Sequence, residues 1–130
     1  KIQIIIYEKE TIAIINNKQN KFYLIKNGEE IKFFKNKILE ELPNIFGEQK
    51  NFLKIYNALN DSGFPISEIR SFYYFDIGRW DIILKNNRVI KLPVENFLNS
   101  LKNYLELNKK SNFEKYFIFD YRIKDQLILN

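Results

Sequence analysis

Cysteine, histidine and methionine are all absent from this 130-residue chain, and tryptophan occurs once, at Trp80. Without cysteine there is no disulfide framework, and the redox state of the compartment is left open. Without histidine the commonest general base and metal ligand is missing. Glycine is scarce, and its 4 copies are too dispersed to build a phosphate-cradling loop. No apolar run approaches the roughly 20 residues that span a bilayer, and no signal peptide is recognisable. The chain starts at Lys1 in strand-like sequence without an initiator, so it is expected to be a fragment of a longer protein.

What is present is enough to fill a core. Hydrophobic residues make up 45% of the chain, with 12 Phe and 8 Tyr, which suits one domain of ordinary size. Ile, Asn and Lys together account for 55 of the 130 residues. All three have adenine- and thymine-rich codons, so this bias reads as genomic drift and weakens any inference from the net charge of +5. The excess is scattered lysine interleaved with acidic residues, whereas a nucleic-acid groove gathers Arg and Lys on one face. Against that background the four arginines, Arg70, Arg79, Arg88 and Arg122, stand out. Each is a candidate for a role that needs the planar guanidinium fork in place of a lysine point charge.

The pattern predicts an N-terminal meander of about four strands: Lys1–Lys9, Thr11–Asn16, Lys21–Ile25 and Glu30–Phe34. A single helical turn at Lys37–Leu42 stops at Pro43. A helix over Gln49–Asn60 ends at Asp61-Ser62-Gly63, and a strand over Ile66–Phe75 follows. Two further strands then form a hairpin around Trp80. A three-residue loop of Lys85, Asn86 and Asn87 sets Trp80 opposite Leu92, Ile82 opposite Ile90 and Asp81 opposite Lys91. Asn87 tolerates the left-handed conformation that such a loop needs. Val94–Asn108 is the clearest helix, with Val94, Phe97, Leu98, Leu101, Tyr104 and Leu105 on one stripe. Closing strands are expected at Tyr116–Asp120 and Gln126–Leu129. The sum is an α+β fold, a large mainly antiparallel sheet with two amphipathic helices.

Catalytic chemistry is hard to find. Glu29/Glu30 and Glu40/Glu41 are neighbours whose side chains diverge, so neither is a converging acid–base pair. Ser62, Ser67, Ser71, Ser100 and Ser111 have no histidine to activate them. The expectation is a non-enzyme with no catalytic residue, no metal and no cofactor. The aromatic run Phe72-Tyr73-Tyr74-Phe75 has two readings: stacking platforms for single-stranded bases, or the commoner packing of a strand into a core. Gln126-Leu127-Ile128-Leu129 also has two. It is either a strand buried between neighbours or an edge whose free N–H and C=O groups accept a partner strand.

Read together, the segments resemble the FtsQ/DivIB family of bacterial cell-division proteins. The resemblance rests on Gly78-Arg79-Trp80-Asp81-Ile82, then Lys91-Leu92-Pro93 opening a helix, then Phe119-Asp120-Tyr121-Arg122-Ile123. Upstream, Lys21-Phe22-Tyr23-Leu24-Ile25 with Asn27-Gly28, and Leu42-Pro43 with Gly47-Glu48, match in the same order. The likeness is greatest to the branch found in Gram-negative bacteria, of alphaproteobacterial type. Asn87, Tyr121 and Ile123 depart from the family's usual glycine, leucine and tyrosine. The resemblance implies that residues 1–9 are the last strand of an upstream POTRA domain and residues 10–130 the β domain. It implies a periplasmic domain of a single-pass inner-membrane protein, enriched at the division septum. Such a protein is a scaffold of the divisome that joins FtsB and FtsL and helps control septal peptidoglycan synthesis. By position, FtsB would add a strand at Arg122, Ile123, Lys124, Gln126, Leu127, Ile128 and Leu129, while Gly78, Arg79, Trp80, Asp81, Lys91, Leu92 and Pro93 frame the fold. A basic nucleic-acid-binding domain is the alternative, and a carbohydrate-active enzyme a third.

Overall fold

Isoleucine, valine and aromatic residues crowd the segments that pair into one sheet, because branched and planar side chains suit a pleated, half-buried surface. The computed structural model describes residues 10–48 and 51–130, so the strand and POTRA assignment expected at Lys1–Lys9 lie outside the described residues. Within them run β1 (Thr11–Asn16), β2 (Lys21–Ile25), β3 (Glu30–Lys32), β4 (Asn44–Phe46), β5 (Ile69–Phe75) and β6 (Arg79–Leu84). They are followed by β7 (Val89–Lys91), β8 (Ile118–Asp120) and β9 (Ile128–Leu129), with helices α1 (Phe52–Ser62) and α2 (Phe97–Asn108). The order across the sheet is β3-β2-β1-β4-β5-β6-β7-β8-β9. Pairing is antiparallel except at β1–β4, β4–β5 and β7–β8, so the expected α+β class with a large, mainly antiparallel sheet is what forms.

Both helices cover one face. Phe52, Ile55, Ala58 and Leu59 of α1 and Leu101 and Tyr104 of α2 pack on Ile45, Ile69, Phe72, Trp80, Ile82, Ile90 and Phe119 of the sheet. Gly63 ends α1 in the left-handed conformation at φ 77°, where a glycine carries no Cβ penalty. On the opposite face a smaller cluster of Ile14, Tyr23 and Leu39 seals the β1–β3 end.

The hairpin register is as expected: Asp81 pairs with Lys91 and Ile82 with Ile90, and the Leu92 N–H donates to the Trp80 carbonyl at 3.0 Å. Asn87 takes φ 72°, and its N–H closes the loop onto the Leu84 carbonyl at 2.9 Å. One detail differs. Asp81 forms its ion pair with Arg79, two residues along the same side of β6, and not with the cross-strand lysine.

Several boundaries also shift. β4 lies in a stretch that reads as a loop, yet it sits in mid-sheet between β1 and β5, parallel to both. Gly47 follows it at φ 95°, where a Cβ would come within 2.9 Å of the Tyr74 carbonyl oxygen. Helix α2 begins at Phe97, after Asn96 in the left-handed region at φ 61°. Val94 is therefore outside the apolar stripe and 44% exposed. β5 starts at Ile69 behind a short 3-10 turn at Ile66–Glu68, and a second such turn, Leu39–Glu41, replaces the helical turn before Pro43.

Candidate docking edge

Among the described residues β9 closes the sheet at the side opposite β3, so it lies at an edge and not between two neighbours. Its approach is built by Asp120. That carboxylate accepts from the Arg122 backbone N–H at 3.0 Å, an Asx turn that redirects the chain as β8 ends. It also takes the Arg122 guanidinium on both oxygens, Nε at 2.9 and 3.1 Å and Nη2 at 2.7 Å. Asp125, at φ 59°, completes the reversal, with the Gln126 N–H on the Ile123 carbonyl at 3.1 Å. Ile118 and Asn130 then exchange both backbone bonds, each at 3.1 Å. Antiparallel alternation makes Phe119–Leu129 the next, unbonded pair, so the N–H and C=O of Leu129 face away from β8. The Leu129 side chain packs on the core, while Ile128 is 41% exposed on the other face.

Beside this edge lies a cleft of about 660 Å³ between the start of α2 and the β8–β9 turn. Pro93, Val94, Asn96, Asn99 and Asn103 form one wall, and residues 121–127 the other. The Tyr121 hydroxyl donates to Asn103 Oδ1 at 2.8 Å and ties the walls together. Burial, and to a lesser degree Tyr104, pushes the Tyr121 phenol well above its ordinary value, so it stays a neutral donor. Of the expected binding residues, Arg122, Ile123, Lys124, Gln126 and Leu127 line the cleft, while Ile128 and Leu129 form β9 beside it and do not line it. The α2 wall is what the sequence reading missed. Its signal is a polar run at helical spacing, Asn96, Asn99, Ser100 and Asn103, opposite the apolar stripe.

Of the framing residues, Trp80 and Leu92 are core, Gly78 turns β5 into β6 at φ 100°, and Pro93 lines the cleft. Asp81, Lys91 and Asp120 stand in register across β6, β7 and β8 on the face away from the helices. With Arg79 and Arg122 at either end, they make a row of alternating charge that favours this register over its neighbours. The Arg122 guanidinium, through its hydrogen bond first and then its charge, holds the Asp120 carboxyl below the usual range against the opposing effect of burial, and Lys91 adds to it.

This depression has a consequence for acid stability. The Asp120 contribution is complete above the unfolded aspartate value of about 3.9 and is lost as pH falls through the lower folded value. The wild-type urea midpoint is therefore expected to drop more steeply than that of Asp120→Asn below about pH 4. Parallel curves would remove this role for Asp120.

In the aromatic run, Phe72 is fully buried, whereas Tyr73 and Phe75 emerge on the open face. The Tyr73 ring is stacked on Phe46 with centroids 4.7 Å apart, and Phe75 lies under the Arg79 guanidinium at 4.3 Å. One face of each ring is thus occupied within the sheet. Among the described residues, no three carboxylates gather where they would hold a metal ion.

Residues 13–122 match the family described as cell division protein FtsQ/DivIB, C-terminal. The chain belongs to the FtsQ/DivIB family. It is similar to the cell division protein FtsQ of Rickettsia bellii (strain RML369-C), 32% identical over 132 residues, covering 96% of this chain and 48% of that protein. The chain therefore spans about half the length of this FtsQ relative. Rickettsia is an alphaproteobacterium, the type that the motifs resemble. A solved structure of the major extracytoplasmic domain of the trans isomer of DivIB from Geobacillus stearothermophilus aligns with TM-score 0.46 and 14% identity. That alignment covers 81% of this chain and 95% of the DivIB chain. The FtsQ/DivIB match ends at Arg122, so most of the docking turn and all of β9 lie beyond it.

Proposed function

We propose that this domain is a non-enzymatic divisome scaffold that binds FtsB, and through it FtsL, by accepting an FtsB strand on β9. The observation that carries the reading is the outward-facing backbone of Leu129 at a sheet edge with an open cleft alongside. An added strand gains main-chain hydrogen bonds from such an edge, and neighbouring pockets select its side chains. The two-residue β9 offers only one such outward residue between Ile128 and Asn130, so the cleft must supply the remaining contact. The reading further places the domain in the periplasm, in a membrane-anchored protein at the septum that helps control peptidoglycan synthesis. Among the described residues no helix is long and apolar enough to cross a membrane.

The test is capture of a purified FtsB–FtsL pair by the domain and by a chain lacking Gln126–Asn130. Binding is expected to the first and not to the second, with the emission of the single tryptophan reporting that both are folded. A folded deletion that still captures the pair overturns the edge model.

A further inference from the structure

Arg88 is the one arginine that no surface role explains. It directly precedes β7 and is buried, with 6% of its area exposed, in a chain where lysine outnumbers arginine 17 to 4. An ionised side chain loses its hydration there and is tolerated only if acceptors replace the lost water. Among the described residues, no carboxylate bonds to it. Instead, Nε donates to the Tyr116 carbonyl at 3.1 Å and Nη2 to the Phe113 carbonyl at 3.1 Å. Nη1 donates to Asn108 Oδ1 at 2.8 Å and to the Tyr104 hydroxyl at 3.1 Å. The guanidinium also lies over the Phe119 ring, 5.1 Å from its centroid. Among the described residues, no buried side-chain N or O atom is left without a partner.

The acceptors belong to the two elements that make the docking site. Tyr104 and Asn108 are the last turns of α2, whose first turns wall the cleft. Phe113 and Tyr116 bracket the connector that delivers β8. One residue further, the Phe117 carbonyl accepts the Val89 N–H at 2.8 Å, and the Phe117 N–H donates to the Asn130 carbonyl at 2.8 Å. A planar fork with donors on three nitrogens reaches both elements at once, while a lysine ammonium occupies one point. With every nitrogen of the guanidinium bonded, a buried network of this kind favours one arrangement of its surroundings.

We infer that Arg88 is a positioning residue for the docking edge, holding the end of α2 and the β8 connector together so that β9 and the cleft wall meet a partner in one geometry. It acts from behind the site and does not touch the partner. The inference rests on the reading that β9 receives a strand.

Amide hydrogen exchange and FtsB–FtsL affinity, measured on wild type and Arg88→Lys, test it. Exchange at Phe117, Ile118 and Asn130 is expected to rise roughly tenfold, as for loss of a charged hydrogen bond. Exchange at Asn87 and Leu92 of the hairpin is expected to stay put, and affinity for the pair to fall by a similar factor. Equal acceleration at the hairpin shows general destabilisation and overturns the inference, as does unchanged exchange at the edge. If Arg88→Lys does not fold, Asn108→Ala, which removes one acceptor only, is expected to accelerate the same three amides by a smaller factor; no acceleration there overturns the inference. If wild type fails to bind FtsB–FtsL, the docking reading falls, and the exchange pattern alone decides whether Arg88 holds the edge.

Discussion

Trp80→Ala is expected to lower the unfolding free energy by about 3–5 kcal/mol, the range for emptying a large aromatic site in a core. The indole is 4% exposed and central to the aromatic cluster between α1 and the sheet. Phe52 and Phe72 meet it edge-on with centroids at 5.9 and 6.1 Å, and Tyr74 tilts against it at 4.9 Å. These neighbours are rings on a helix and on a paired strand, so none is free to collapse into the vacated volume. Domains of this size are stable by roughly 5–15 kcal/mol, and the loss takes a large share of that. Urea titration followed by far-ultraviolet circular dichroism reads it as a lower midpoint at unchanged slope. A shift worth less than about 1 kcal/mol would show that the core repacks around the gap.

Leu129→Pro is expected to weaken FtsB–FtsL binding roughly a hundredfold while leaving the domain folded. The ring removes the outward N–H that an incoming strand must meet and leaves a partner carbonyl unpaired, a loss of about 2–3 kcal/mol. Nothing bonded to β8 is lost, because Leu129 belongs to the unbonded pair with Phe119. The residue before a proline is pushed towards extended backbone, which Ile128 already adopts in β9. Ile128→Pro makes the contrast. Its N–H lies in the bonded pair with Asp120, so proline there breaks the ladder and frees the edge from the sheet. Titration calorimetry with the FtsB–FtsL pair separates the two variants, and full affinity in Leu129→Pro would rule out strand addition at this residue.

The elements with a strong local signal were legible in the sequence. The hairpin is one: its register follows from sorting Trp80, Ile82, Ile90 and Leu92 onto one face, and the loop length follows from Asn87. The closing strand was legible only in part: an apolar segment at Gln126–Leu129 reads equally as an edge or a buried strand, and it pairs only over Ile128–Leu129, at the edge of the described sheet. β4 was not legible. Three residues after a proline carry no periodicity, and its partners β1 and β5 are distant in sequence, so only the assembled sheet defines it. The opposition of Asp81 and Lys91 was legible and forms, but register does not choose the ion-pair partner, and Arg79, two residues along the same strand, holds the carboxylate. The cleft wall on α2 was hidden behind the more conspicuous apolar stripe of the same helix.

From β4 onward, each strand lies beside the one made just before it. Synthesis therefore lays down this half of the sheet in order, and β9 is the last described strand to arrive. A chain interrupted just before β9 has every core strand and both helices, yet presents the outer side of β8 in its place. That substitute edge offers the backbone of Ile118 and Asp120, and lacks the wall of residues 123–127. If β9 receives the partner strand as proposed, competence to dock arrives only with this last described strand, and chains interrupted before it are expected not to occupy the partner.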